Sequence, residues 1–176
     1  YLDPFHVQNN AGRSVAQAMF DTLVMSIDGE YVPTLAERYT VVDDTTIEFT
    51  LRDGITFHNG EPLDSAAIAY NIERMLDPAV DSHYLPQFEG VSIEVVDDLN
   101  FVLRLAEPDA NIIDTLTYLF IVPPAYAAEV GPEGFNQAPV GTGPFTFVSY
   151  TADDRVVVAA NPNYWEDSPK GAPRVE

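Results

Sequence analysis

The 176-residue chain has no cysteine, which excludes disulfides, thiolate nucleophiles and zinc–thiolate centres. That absence does not fix a compartment, since an exported protein can do without disulfides. Positive charge is scarce as well: 8 Lys and Arg stand against 28 Asp and Glu, a formal net charge of −20. Over a folded surface of roughly 8,500 Å², this is about one uncompensated negative charge per 425 Å². Such a surface repels phosphates, so nucleic acid and anionic membranes are poor partners, whereas cations and basic ligands are attracted. Long apolar runs are missing too. The uncharged stretch 115–128 is short and contains Pro123-Pro124, and 134–152 is broken by Pro139, Gly141, Gly143 and Pro144. Neither reads as a membrane span. The chain opens at Tyr1 without an initiator Met and reads as a processed or truncated piece.

Catalytic motifs are equally hard to find. There is no G-x-S-x-G elbow, no His pair at helical spacing and no EF-hand loop. Gly141-Thr142-Gly143-Pro144 is Gly-rich, but its proline removes a donor and no lysine follows, so it is not a phosphate loop. Asp43-Asp44, Asp97-Asp98 and Asp153-Asp154 fall where hairpins should turn, and turn chemistry explains them better than calcium binding. His58 reads as a turn-flanking residue and Ser65 as a helix-capping hydroxyl. No cofactor or metal is implied, and binding is favoured over catalysis. Two rivals remain: a small hydrolase using His58 or His83 with a carboxylate, and an acidic module that docks a basic partner.

What is present is a globular composition, 46% hydrophobic and 20% charged. Val15, Met19, Leu23 and Ile27 recur every fourth position, predicting a helix over 13–27 that Asp28-Gly29 stops. Leu35-Ala36 suggests a single helical turn. Period-two alternation predicts three hairpins, around Asp43-Asp44, around Asp97-Asp98 and around 151–154. A further tight hairpin is expected at 55–58, between Asp53-Gly54 and Asn59-Gly60. Asp64-Ser65 opens a helix to about Leu76; 79–90 reads as a loop, 111–118 and 124–130 as helices, and 131–137 as a polar link. Gly54, Gly60, Gly141 and Gly143 read as turn glycines, and Tyr164 and Trp165 as cover for a core or sheet edge. Tyr84 and Tyr118 fit either core aromatics or pocket walls. The class is α+β, with strands paired in antiparallel hairpins.

Several stretches together carry a resemblance: Leu2-Asp3-Pro4; Pro33-x-Leu35-Ala36-Glu37; the run from Phe49 through Arg52-Asp53-Gly54 and Phe57-His58-Asn59-Gly60 to Pro62; and Pro139-Val140-Gly141-Thr142-Gly143-Pro144-Phe145 followed by Asn161-Pro162-Asn163-Tyr164-Trp165. In this order they resemble the family 5 extracellular solute-binding proteins, the peptide and nickel receptors of ABC importers. The resemblance implies a periplasmic-binding-protein-like fold of type II, of which this chain would be the N-terminal lobe plus the family-specific subdomain. Residues 1–25 and 139–176 would belong to lobe I and 26–138 to the inserted subdomain, with the second lobe absent. It also implies capture of oligopeptides or dipeptides for a membrane permease, by a monomer that is periplasmic or extracellular, with a lipid anchor an option for the full-length protein. Relatives that read nickel chelates, haem or oligosaccharides share these motifs and supply the alternative ligands. Gln8, Asn9, Asn10, Ser82, His83 and Tyr84 are the ligand-contacting positions it implies.

Overall fold

Alternation of β-branched and aromatic residues builds most of the frame. The computed structural model describes residues 2–7, 9–152, 154–165 and 168–171. After a 3₁₀ turn at Pro4–His6, α1 spans Asn10–Met19, followed by β1 (Val24–Ile27), β2 (Glu30–Pro33), β3 (Ala36–Asp43) and β4 (Thr46–Leu51). Next come α2 (Ser65–Leu76), α3 (Leu85–Phe88), β5 (Val91–Val95) and β6 (Asn100–Leu105). α4 (Ile112–Leu116), α5 (Pro124–Gln137), β7 (Phe145–Thr151) and β8 (Arg155–Ala160) complete the chain. The mixed α+β class expected from the sequence holds.

The hairpins at Asp43 and Asp97 join into one antiparallel sheet of order β3-β4-β6-β5. Ile47, Phe49 and Leu51 on β4 face the core with Phe101 and Leu103 of β6, and the Phe49 and Phe101 rings stack at 5.1 Å. Both turns use one device. Asp43 Oδ1 accepts the Thr45 N–H at 2.8 Å, and Asp97 Oδ1 accepts the Leu99 and Asn100 N–H groups at 2.9 Å. Those backbone donors favour the charged carboxylates and lower both pKa values. α2 buries Ile68, Ile72 and Met75. Its Asn71 amide bonds the Val122 N–H and C=O at 2.9 and 2.8 Å, anchoring the buried run Leu119–Val122.

The structure corrects several expectations. The 13–27 helix ends at Met19, where Phe20 takes extended angles (φ −126°, ψ 153°), and Val24–Ile27 is a strand. Asp28 and Gly29 both have positive φ and form a two-residue turn between β1 and β2, so that Asp-Gly is a hairpin signal and not a helix stop. Leu35-Ala36 lies at the entry to β3, not in a helical turn. The 55–58 hairpin is reduced to one bridge, Thr56 to Pro62. The loop at 79–90 contains α3, and the 131–137 link is helical beyond a kink at Gly131 (φ 66°, ψ 179°). The cap of α2 is the Asp64 carboxylate, which accepts from Ala67 N–H at 2.7 Å, while Ser65 is the buried first helical residue. The turn that holds Asp153 lies partly outside the described residues; β7 and β8 flank it as expected.

Three of the stretches that carry the family resemblance, 49–62, 139–145 and 161–165, meet at the C-terminal end of α1. Gly143 N–H donates to the Met19 carbonyl at 2.9 Å. A Cβ on Gly141 would fall 2.2 Å from that carbonyl oxygen, and one on Gly143 would fall 2.5 Å from the Met19 carbonyl carbon. Neither glycine has positive φ, so close backbone approach, not turn geometry, demands them. His58 is more than a turn flank. Its backbone N–H donates to Gly141 O at 2.8 Å, its Nε2 donates to Gly143 O at 2.9 Å, and its Nδ1 accepts the Gly141 N–H at 3.3 Å. Beneath them the fully buried Asp21 carboxylate receives Lys170 Nζ at 2.6 Å, Thr142 Oγ1 at 3.0 Å and the Tyr164 hydroxyl at 3.2 Å. Burial and the Asp21 charge push the Tyr164 phenol well up. Tyr164 and Trp165 therefore serve a polar knot as well as covering apolar surface.

Candidate functional site

Two segments far apart in sequence, the N-terminal turn with the start of α1 and the loop before α3, lie side by side. Asp3 caps the 3₁₀ turn by accepting the Phe5 N–H at 3.1 Å. Its carboxylate also takes a forked pair of bonds from Arg74 of α2, one at 3.2 Å, and the Arg74 guanidinium sits 4.3 Å from the Phe5 ring centroid. Both ionic partners are buried, so this pair locks the entry segment onto α2. The Phe5 carbonyl then receives Ser82 Oγ at 3.1 Å and the His83 N–H at 3.3 Å.

Of the positions implied by resemblance, Gln8 lies outside the described residues. Asn9 is the N-cap of α1, and its side-chain oxygen is spent on the Gly12 N–H at 2.8 Å. It faces a groove between α1 and the β7–β8 hairpin, which Gly12, Val15 and Tyr150 also line. Asn10 is exposed as the first residue of α1, its carbonyl accepting from Ser14 Oγ at 3.0 Å. Ser82 is buried and structural. His83 is exposed and Tyr84 half-buried, their rings edge to face at 5.5 Å.

Two residues absent from that set complete the surface. The Tyr118 ring lies 5.2 Å from that of Tyr84, and Arg13 of α1 lies over Tyr118 with its guanidinium carbon 4.0 Å from the centroid. Arg13 Nη2 also reaches Thr117 Oγ1 at 3.5 Å. The result is a stepped aromatic platform, His83–Tyr84–Tyr118, capped by one cation. Tyr118 is thus a surface wall here and not a core aromatic. Burial raises the Tyr84 phenol's pKa; the Arg13 charge opposes that and Tyr118 adds to it, so the hydroxyl keeps its proton at neutral pH as a donor for a ligand. Arg13 escaped the sequence reading because its partners are 104 residues away. The available signal was scarcity, one of only 8 Lys and Arg against 28 acids.

The arrangement suits recognition better than acid–base chemistry. Both His58 ring nitrogens are spent on backbone groups. Among the described residues, no carboxylate lies within 4.0 Å of His83 and no group of three metal-ligating side chains forms. Among them too, no helix is long and apolar enough to cross a membrane.

The chain belongs to the bacterial extracellular solute-binding proteins, family 5, whose middle-region model matches residues 30–175. It is 33% identical, over 168 aligned positions covering 80% of this chain and 32% of the relative, to the probable di/tripeptide-binding protein 5 of Pseudomonas aeruginosa strain UCBPP-PA14. It is 29% identical over 181 positions to the glutathione-binding protein GsiB of Pectobacterium atrosepticum, covering 99% of this chain and 34% of that protein. Among solved structures it is similar to the binding protein AgaA of A. tumefaciens R10, in complex with agropinic acid, with a TM-score of 0.87 and 34% identity over 94% of this chain and 34% of AgaA. The fold is that of the type II periplasmic binding proteins. The chain spans about a third of the length of the relatives it matches.

Proposed function

We propose that this chain is part of the substrate-binding component of an ABC importer that captures di- or oligopeptides and presents them to a membrane permease. The observation that supports this reading is the meeting of the N-terminal turn and the 82–84 loop at the Phe5 carbonyl, beside a platform of half-buried Tyr84 and Tyr118 that the exposed His83 extends. Tyr faces offer apolar area with hydrogen-bonding hydroxyls, a combination that holds a peptide without chemistry. Capture is reversible and involves no covalent step, and closure of a hinged cleft excludes water. Names of relatives that bind di/tripeptides or glutathione, itself a tripeptide, support the ligand class.

Within this reading, 1–25 and 139–176 form part of one lobe and 26–138 the inserted subdomain. The bonds from Gly143 to Met19 and from Thr142 to Asp21 support joining the first two. The protein works as a monomer outside the cytoplasm, in the periplasm or at the cell exterior, and a lipid anchor on the full-length protein is compatible with that place. The test is calorimetric titration of the full-length protein with defined di- and tripeptides, where saturable binding without turnover is expected. Silence to every peptide, with a response to a nickel chelate or an oligosaccharide, overturns the peptide assignment.

A further inference from the structure

The charge inventory singles out Arg13. In a chain of net charge −20, carboxylates should find every cation. Among the described residues Arg38, Arg74, Arg104, Arg155 and Lys170 each have a carboxylate oxygen within 4.0 Å. Arg52 has none, but its Nε is committed to the Thr34 carbonyl at 2.7 Å and its guanidinium lies over Trp165. Among the described residues the Arg13 guanidinium has neither a carboxylate nor a strong neutral acceptor; its one hydrogen bond there is the 3.5 Å contact to Thr117 Oγ1. A guanidinium carries five donors in a planar fork, so most of its capacity is unspent.

Arg13 is nevertheless held in place. It sits on α1 one turn beyond the Asn9 cap, its N–H bonded to the Asn9 carbonyl at 2.9 Å, and its head rests on the Tyr118 face at 4.0 Å. Stacking fixes the plane of the fork and leaves its edge to make in-plane bonds. The rotamer entropy that a free arginine loses on binding an anion is thus largely lost already. The chain's overall negative charge does not cancel this local attraction. At physiological salt the screening length is about 8 Å, so a group in contact with Arg13 feels that cation far more than the distributed acids.

We infer that Arg13 is a ligand-reading residue whose guanidinium, set on Tyr118, takes the carboxylate of the captured solute while an adjoining apolar group lies against Tyr84. The ligand class is then narrower than peptide-like: it carries a free carboxylate next to apolar surface. This rests on the solute-binding reading above. The carboxylate has two possible sources, the C-terminus of a peptide or an acidic side chain, and the two share one chemistry.

Calorimetry on the full-length protein separates the possibilities. The probes are di- and tripeptides of Ala, Leu and Phe, each as free acid and as C-terminal amide, with Glu- and Gln-containing pairs as a second arm. Amidation is expected to weaken binding about 10- to 100-fold if the terminus is read; if a side chain is read, the Glu-to-Gln exchange carries that loss. Arg13→Gln should weaken the free acid by the same factor and the neutral counterpart hardly at all, and Arg13→Lys should fall between, keeping the charge without the fork. The ligand-free melting temperature should stay unchanged in both. Equal weakening of acid and neutral probes by Arg13→Gln, or discrimination that survives it, overturns the inference while leaving peptide capture intact. Failure of the unmodified protein to bind any peptide overturns the functional reading itself, and with it this ligand class.

Discussion

Replacing Gly141 with alanine tests whether the knot at the end of α1 depends on backbone contact. The added Cβ would lie 2.2 Å from the Met19 carbonyl oxygen and 2.5 Å from the Phe20 ring, against ordinary contacts beginning at 3.4 Å. The phenylalanine is fully buried, and the carbonyl belongs to the last turn of a helix and already accepts the Gly143 N–H. Neither can swing aside, so the 141–143 segment must move outward by about 1 Å. Overpacking of this kind costs about 1–3 kcal/mol. The Gly143–Met19 and His58–Gly141 bonds would stretch as well, at about 1 kcal/mol each. The total of roughly 3–5 kcal/mol should lower the melting temperature by about 6–20 °C in a chain of this size. Trp165, the chain's one tryptophan, contacts Asp21 in the same knot, so its fluorescence reports the transition. Gly60→Ala is the control. Its φ of +88° carries left-handed strain of about 1–2 kcal/mol, but nothing lies within 4 Å of the new methyl. If Gly141→Ala melts no lower than Gly60→Ala, the close-approach reasoning is wrong.

Asp3→Ala should cost about 3–5 kcal/mol in urea unfolding, because Arg74 is left charged, buried and unpaired; Asp3→Leu with Arg74→Met should recover most of it. Equal losses in the single and double variants would contradict this. For His58, burial holds the imidazole below its ordinary value of 6.5, with the Gly143 carbonyl and the Asp21 charge opposing incompletely. The unfolded chain therefore protonates first, so the contribution is complete above pH 6.5 and is lost as pH falls from 6.5 toward the folded value. The stability of the unmodified protein should drop more between pH 7 and 5 than that of His58→Gln, and parallel curves would refute the clasp.

The four-stranded sheet was legible because half-buried hairpins write their geometry as period two, and Ile47, Phe49, Leu51, Phe101 and Leu103 do so without ambiguity, whereas the β1–β2 hairpin was not. The turns at Asp43 and Asp97 were legible for the same local reason: an Asx side chain bonding its own backbone needs no distant partner. The α1–β1 boundary was not legible. Leu23 and Ile27 continue the four-residue spacing of Val15 and Met19 although they lie beyond the helix, and what ends α1 is tertiary: Asp21 is drawn into a buried knot by Thr142 and Lys170. The site followed the same rule. Resemblance pointed to His83 and Tyr84, but Arg13 and Tyr118 join them only through folding. Asn9, chosen for its amide, turned out to be occupied by the helix it caps.

Hydrogen–deuterium exchange on the full-length protein, with and without a saturating peptide, measures the claim that this chain supplies a ligand wall. Protection should rise at 9–13, 82–84 and around 118, with the β3-β4-β6-β5 sheet unchanged. Saturable binding that leaves those three segments exchanging at their ligand-free rates would contradict it.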